Sequence, residues 1–172
     1  MSLDVNDPMG HSVLGFVRLC EGALEEAESA FQTALRINPN HADTIMNMAD
    51  LRVRQGQPHD AVQFAEKALR LNPYPPGRYY WDLGFAYYAA GSYAQAVTVL
   101  RMEEVGRLPA KRILAASLAQ LGQLAEAHEE ARRFLEISPG FLASRWAATQ
   151  AFRRDEDRQH FLDGYVKAGL PL

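Results

Sequence analysis

The sequence predicts an all-α fold in which antiparallel helix pairs stack into an array. The first observation is a recurring motif, a glycine followed five residues later by an alanine. Successive glycines of this motif lie 34, 35 and 31 residues apart: Gly22–Ala27, Gly56–Ala61, Gly91–Ala96 and Gly122–Ala127. The second observation is an apolar residue followed by a small one upstream of each glycine: Leu14-Gly15, Met48-Ala49, Leu83-Gly84 and Leu114-Ala115. Repeats with a period of about 20–50 residues are typical of stacked supersecondary units.

The first helix of each unit is predicted from apolar and small residues at helical spacing. In the third unit, four residues recur at i, i+3, i+4 and i+7 and therefore share one face: Tyr80, Leu83, Gly84 and Tyr87. Gly84 carries no side chain on this face, so a second helix can come close. Gly91 follows the first helix, where glycine readily adopts the left-handed conformation that ends it.

The remaining elements follow in chain order. First helices are expected near 9–21, 42–55, 77–90 and 110–121, and second helices near 24–37, 58–71, 93–105 and 124–137. After Pro139, "FLASRWAATQAF" predicts a ninth helix that covers the exposed end of the array, as terminal repeats require. "DEDRQHFLDGYVKAG" predicts a tenth helix, with Asp155 available as its cap.

The domain organisation predicted from these elements has three parts. Residues 1–7 are expected to be the tail of a preceding unit or residues added for expression, and the chain is expected to be a fragment of a longer protein. Residues 141–172 are expected to form C-terminal capping helices. Between them, residues 8–140 form four helix pairs, at about 8–41, 42–75, 76–107 and 108–140.

These units resemble the tetratricopeptide repeat, whose 34-residue pattern runs Leu-Gly, Gly, Ala, Phe, Ala and Pro. The first unit matches throughout: "LG" at 14–15, Gly22, Ala27, Phe31, Ala34 and Pro39. The third unit departs from the pattern, because Leu100 and Glu103 stand where the pattern has phenylalanine and alanine, and no proline follows its second helix. The resemblance covers residues 8–140 and implies a right-handed superhelix.

Composition and charge exclude several classes of function. The net charge is -3 and no basic run exceeds an arginine pair, so a nucleic-acid partner is not expected. No apolar stretch is long enough to span a membrane, and the N-terminus lacks an export signal. These features, together with a single cysteine, Cys20, predict a cytoplasmic protein without a membrane partner.

Catalytic chemistry is not predicted for this chain. The five histidines lie in different units, and none has a second histidine or cysteine at metal-ligand spacing. The chain contains neither a glycine-rich phosphate loop nor a G-x-S-x-G motif. We therefore expect no catalytic, cofactor-binding or metal-binding residues and no cofactor.

A partner-binding surface is implied by the family resemblance, which places it on the concave face of the first helices. The family register puts eight candidates there: Phe16, Met46, Arg54, Arg78, Trp81, Phe85, Tyr88 and Arg112. Tyrosine, tryptophan and arginine are typical of interface hot spots, so a protein or peptide segment is the expected ligand, with self-association as an alternative. Two other interpretations stay open: another element of the chain covers Trp81 and Phe85, or these residues and Arg78 bind a small anion.

One known use of such a groove, the clamp for chaperone C-terminal tails, is largely missing here. Its lysine and asparagine in the first unit are replaced by Ser12 and Phe16. Asn47 matches the clamp in the second unit. The third unit has Arg78, but it carries Asp82 where the clamp has a basic side chain. Chaperone tails are therefore not the expected ligands.

The distal half resembles the C-terminal repeat region of bacterial class III adenylate or guanylate cyclases. The similarity spans about residues 70–172 and rests on "LNPYPPGRYYWDLGFAYYAAGSYAQAV", "AASLAQLGQLAEA", "SRW" and "FLDGYVKAGLP". It implies a scaffold or regulatory array of a larger signalling protein, with any cyclase activity in another domain. The alternative is a freestanding export or assembly chaperone.

Overall fold

The computed structural model describes residues 7–102 and 108–172, and these residues form α-helices joined by turns, without strands. The all-α prediction is confirmed. The helices are α1 (Pro8–Glu21), α2 (Leu24–Ile37), α3 (Ala42–Arg54), α4 (Pro58–Leu71), α5 (Gly77–Ala89), α6 (Tyr93–Leu100), α7 (Leu108–Gln120), α8 (Leu124–Ile137), α9 (Ala143–Thr149) and α10 (Asp155–Lys167). No described helix is long and apolar enough to cross a membrane.

Local signals set the ends of these helices. Asp7 caps α1, because its carboxylate accepts hydrogen bonds from the backbone N–H groups of Met9 and Gly10 at 2.9 and 3.0 Å. Gly22 ends the same helix with φ 81°, and Gly91 follows α5 with φ 73°. The left-handed glycine that the sequence predicts after the first helix is therefore present in both units.

Within a pair, the two helices approach closely at the small residues. A Cβ atom added at Gly15 would lie 2.5 Å from the ring of Phe31, and one at Gly84 would lie 2.5 Å from Leu100. Such distances are below van der Waals contact, so only glycine permits this packing. The alanines of the four motifs are also fully buried: Ala27, Ala61, Ala96 and Ala127.

Successive pairs stack into two layers. We number the pairs as units 1 to 4, so that unit 1 is α1 and α2 and unit 4 is α7 and α8. The first helices α1, α3, α5 and α7 contact one another in series, and each second helix packs on the first helix of the next unit. The apolar core runs along the array between these layers, as three clusters of buried side chains.

The C-terminal helices depart from the expected cap over the end of the array. Phe141 packs edge-on against Phe134, and Gly169 lies beside His128, so the end of α8 is only partly covered. In contrast, α10 packs across α7 and α5, and α9 packs against α10. The aromatic side chains Phe161 and Tyr165 of α10 are buried in this position, where they pack against rings of α5 and α9.

Two other differences concern element ends. Helix α6 ends at Leu100 instead of near residue 105. Two predictions lie outside the described residues. They are the packing of Glu103 with the end of its helix at 103–105, and the N-terminal tail up to residue 6. The unit boundaries themselves stay a prediction.

Candidate functional site

The candidate site is the surface of the first helices that faces away from the second helices, which we call the groove. All eight predicted residues belong to α1, α3, α5 or α7. We call residues 141–172 the C-terminal segment. This segment crosses the groove and decides which of the eight residues a partner could reach.

Helix α10 fills the groove over units 3 and 4. The ring of Phe161 stacks on Phe85, with centroids 4.8 Å apart, and lies 4.9 Å from the ring of Tyr88. The Tyr88 hydroxyl donates a 3.1 Å hydrogen bond to the backbone oxygen of His160. The helices approach closely at Gly164, because a Cβ there would collide with the Tyr88 hydroxyl. Phe85 and Tyr88 are consequently buried.

Arg112, on α7, contacts three aromatic rings of the C-terminal segment. Its guanidinium carbon lies 5.8, 5.4 and 5.9 Å from the ring centroids of Phe141, Trp146 and Tyr165. The guanidinium Nε also donates to the Tyr165 hydroxyl at 3.2 Å. Burial raises the pKa of Tyr165, and the charge of Arg112 opposes that rise. Arg112 therefore acts as an internal clamp, in which cation–π contacts replace a carboxylate partner.

The stretch between α9 and α10 extends the segment to units 1 and 2. The backbone N–H of Arg153 donates to the carbonyl of Arg54 at 2.8 Å. The Arg54 guanidinium donates to Gln150 Oε1 at 3.2 Å, and the Arg153 guanidinium pairs with Glu25. Ala151 lies against the turn at Gly22. The C-terminal segment thus contacts all four units.

Three predicted site residues are not accessible. Phe85 and Tyr88 lie beneath α10, which is the alternative of an internal cover that the sequence left open. Met46 is fully buried between units 2 and 3, in the cluster with Tyr79 and Leu83. Its side chain fills a gap between units, a role that suits an unbranched, adaptable residue.

The other predicted residues divide into two groups. Arg54 and Arg112 are partly buried and engaged by the C-terminal segment. Phe16 is 42% exposed, and Arg78 and Trp81 are half-buried. These last three lie in the part of the groove that we call the open groove, on α1 and α5. Whether they bind a partner stays a prediction.

A row of polar side chains joins α1, α3 and α5 along the open groove. Asn47 Nδ2 donates to Ser12 Oγ at 3.5 Å, and Asn47 Oδ1 accepts from Arg78 Nη2 at 2.9 Å. Arg78 Nε also lies 3.4 Å from Asp82 Oδ2. The sequence did not predict this row, although its members stand at related positions of successive first helices. Their packing fixes the Arg78 guanidinium in one place.

Trp81 carries a hydrogen-bond donor that is buried without an acceptor. Its ring stacks almost parallel on Phe85, with centroids 5.5 Å apart and an angle of 10° between the planes. Its indole Nε1 is buried and has no hydrogen-bond partner within the described residues. A buried indole N–H normally finds an acceptor, so this nitrogen is an exception among the described residues.

The tyrosines Tyr79 and Tyr87 have raised pKa values because they are buried and donate hydrogen bonds within the fold. Burial and donation to Glu66 raise the pKa of Tyr87 to about 12, and burial and donation to Asp43 raise that of Tyr79. Within residues 7–102 and 108–172, no three His, Cys, Asp or Glu side chains are grouped so as to hold a metal ion.

Comparison with known families identifies the repeat. One family model, described as tetratricopeptide repeat, matches residues 19–75, and a second with the same description matches 77–102 and 108–136. Together these ranges cover more than half of the sequence. The chain belongs to the tetratricopeptide repeat family. The implied stacking of helix pairs agrees with the two-layer arrangement described above.

Curated relatives include two proteins named cellulose synthase operon protein C, from Komagataeibacter xylinus and Komagataeibacter sucrofermentans. Each is 33% identical over 110 residues, which are 63% of this chain and 8% of the relative. The matched residues therefore span a small fraction of the length of these relatives. The expected resemblance to cyclase C-terminal regions gains no support, because the relatives found here are not cyclases.

Solved structures show the same fold at low sequence identity. The type IV pilus biogenesis factor PilW superposes with a TM-score of 0.73 and 20% identity, covering 96% of this chain and 75% of PilW. Pseudomonas aeruginosa PilF superposes with a TM-score of 0.69 and 21% identity, covering 94% of this chain and 76% of PilF. YrrB, described as having an unusual peptide-binding site, superposes with a TM-score of 0.63 and 22% identity, covering 95% of this chain and 85% of YrrB.

Proposed function

We propose that this chain is an assembly scaffold that binds an extended segment of a partner protein in the open groove. The tetratricopeptide architecture is that of a protein-interaction module, and neither family model describes an enzyme. The observation that carries the proposal is the exposure of Phe16 beside a groove otherwise filled by the C-terminal segment. Met9, one heptad before Phe16 on the same side of α1, is also exposed at 51%, and a contiguous exposed apolar patch is typical of an interaction site.

The length of the open groove limits the size of the ligand. Packed helices lie about 8–10 Å apart, so the two spacings from α1 to α5 amount to about 16–20 Å. An extended chain rises about 3.3 Å per residue, so about five or six residues span this distance. A short linear segment therefore fits the open groove better than a folded domain.

The charges of the open groove favour an apolar or aromatic ligand over a highly charged one. Arg78 is paired with Asp82, and Arg54 is paired with Asp50 at 3.0 Å. These groups already neutralise one another, so a charged partner would gain little and would lose hydration. Phe16 offers an apolar contact, and the half-buried ring of Trp81 offers aromatic surface.

The relatives support an assembly role. The curated relatives are named for the cellulose synthase operon, and PilW, which shares the fold at 20% identity, is described as a pilus biogenesis factor. By analogy with the curated relatives, this chain would hold one protein of an assembly. The regulatory region of a cyclase, expected from residues 70–172, has no comparable support.

The experiment replaces Phe16 with the photo-crosslinking residue p-benzoylphenylalanine and identifies the captured protein by mass spectrometry. The captured protein is then purified, and its affinity is measured for wild type and for Phe16→Ala and Trp81→Ala. We expect each variant to bind at least about tenfold more weakly, as interface hot spots do. Gln63→Ala, at an exposed position on α4, is the control and should bind like wild type. Unchanged affinity in both groove variants, with intact folding, would contradict the proposal.

A further inference from the structure

The three arginines among the predicted site residues differ in how their charges are paired. Arg54 pairs with Asp50 at 3.0 Å, and Arg78 lies 3.4 Å from Asp82. Arg112, which is half-buried, has no carboxylate partner within the described residues. Its guanidinium contacts three aromatic rings and donates to one hydroxyl of the C-terminal segment. A carboxylate pairs with a guanidinium more strongly, so the segment leaves the charge of Arg112 incompletely matched.

The packing of α10 against the array also leaves a gap. A small cavity lies between α10 and the helices α3, α4 and α5, and it is lined by Val53, Pro58, Ala89, Asp157, His160 and Phe161. Side chains beside a void lose the contacts that close packing would give them. A helix with a different set of side chains therefore has contacts to gain in the place of α10.

The outer attachments of the C-terminal segment to units 1 and 2 are weak. The ion pair of Arg153 with Glu25 joins side chains that are 46% and 78% exposed, and exposed ion pairs contribute little to stability. Residues 150–154, between α9 and α10, form no helix. Helix α10 has 13 residues, and isolated helices of this length are marginal in water. Units 3 and 4 therefore supply most of the stability of α10, which opens as a local unit when it leaves them.

We infer that the C-terminal segment is an autoinhibitory strap, in which α10 occupies the groove of units 3 and 4 until a partner helix displaces it. We call this region, with Phe85, Tyr88 and Arg112, the covered groove. The partner helix carries an aromatic side chain at the position of Phe161 and a carboxylate that pairs with Arg112. It keeps the ring stacking that α10 makes and adds the ion pair that α10 lacks. This inference does not rest on the proposed role of the open groove.

The contacts of α10 define the pattern that the partner helix needs. Phe161, Gly164 and Tyr165 stand at i, i+3 and i+4 and make the contacts with the covered groove. A larger residue in place of Gly164 would collide with the Tyr88 hydroxyl. The pattern is therefore an aromatic residue, a small residue three positions later and a carboxylate-bearing residue next to it.

The test uses the full chain and two fluorescently labelled peptides of residues 153–170. The first peptide has the unchanged sequence. In the second, p-carboxyphenylalanine replaces Tyr165, so that a carboxylate stands where the Tyr165 hydroxyl meets Arg112. Binding is measured by fluorescence anisotropy. A peptide binds only where the tethered α10 has left, and the tether gives α10 an effective concentration on the order of 1 mM, so we expect weak binding to wild type.

Weakening the tethered helix should strengthen peptide binding. Gly164→Ala in the chain adds a Cβ that collides with the Tyr88 hydroxyl and leaves the covered groove unchanged. We expect the unchanged peptide to bind this variant at least about tenfold more tightly than wild type, because more of the groove is open. Phe161→Leu is a second, milder variant with the same purpose. Val166→Ala, at an exposed position of α10, is the matched control and should bind peptide like wild type.

Arg112 decides the chemistry of the partner. We expect the carboxylate peptide to bind wild type and Gly164→Ala at least about tenfold more tightly than the unchanged peptide does. In a chain with Arg112→Met, which keeps an unbranched side chain without its charge, the two peptides should bind within about twofold of each other. Each ratio compares two peptides on the same chain, so a change in the stability of that chain does not enter it.

Three results would overturn the inference. Absence of peptide binding to wild type and to both weakened chains would show that α10 is a permanent part of the fold. Equal binding of the two peptides to Gly164→Ala would remove the carboxylate-bearing partner. In sedimentation velocity, a dimer of the chain that dissociates on addition of peptide would assign the covered groove to the C-terminal segment of a second copy. None of these results affects crosslinking at Phe16, which tests the open groove separately.

Discussion

Phe161 is the residue on which the packing of the C-terminal segment depends most directly, and its truncation to alanine is the first prediction. The side chain is 1% exposed. Its ring centroid lies 4.8 Å from that of Phe85, 5.4 Å from Phe152 and 5.8 Å from Trp146. A phenylalanine so enclosed contributes to stability through its buried area and its ring contacts together.

The expected cost follows from this burial. Phe→Ala changes in protein cores cost about 3–5 kcal/mol, and the rigid rings around Phe161 leave little room for collapse of the cavity. With a urea m-value of about 2 kcal/mol/M, a loss of about 4 kcal/mol lowers the unfolding midpoint by about 2 M. Fluorescence is a suitable signal, because Trp81 and Trp146 belong to the same aromatic cluster.

The control for this measurement is Val166→Ala on the same helix. Val166 is 46% exposed, so its truncation should change the unfolding free energy by no more than about 0.5 kcal/mol. A loss below about 1 kcal/mol for Phe161→Ala, measured alongside this control, would mean that α10 does not pack in the groove.

Three further predictions use the same purified protein. Gly164→Ala should destabilise the chain although alanine favours helix, because the added Cβ collides with the Tyr88 hydroxyl, and calorimetry should show a lower melting temperature. Phe31→Ala should cost about 3–5 kcal/mol in urea unfolding, because the side chain is fully buried; a loss below about 1 kcal/mol would contradict the repeat register. Tyr87 has its pKa raised to about 12, so its contribution to stability is complete below the unfolded pKa of about 10 and is lost as the pH rises toward 12. Tyr87→Phe, which removes the hydrogen bond to Glu66, should therefore show a smaller fall in urea midpoint between pH 9 and 11.5 than wild type.

The helix pairs could be predicted from the sequence because their determinants are local. A glycine such as Gly22 ends a helix through its own backbone conformation, and Gly15 and Phe31 meet within one unit. The pattern of small and large residues therefore predicts the helix pairs directly. The same reasoning predicted a tenth helix in "DEDRQHFLDGYVKAG"; the structure has it at Asp155–Lys167, with Arg154 at the cap position and Asp155, the predicted cap, as its first residue.

The binding surface was harder to predict because it depends on contacts between distant residues. Family register places Phe85 and Phe16 at equivalent positions of their helices, and nothing local separates them. The difference arises because Phe161, 76 positions after Phe85, covers one and leaves the other exposed. The sequence shows that α10 has an apolar face, but it does not show which surface that face meets.

The account depends on the C-terminal segment lying in the groove, and hydrogen exchange at the Arg153 amide tests this most directly. This N–H donates to the carbonyl of Arg54 in unit 2, outside any helix of its own. If the segment lies in the groove, the Arg153 amide should exchange at least about 100-fold more slowly than in an unstructured peptide. Exchange within about tenfold of the unstructured rate would show that the segment is not held there. The groove beside Arg54 in unit 2 would then be open to a partner.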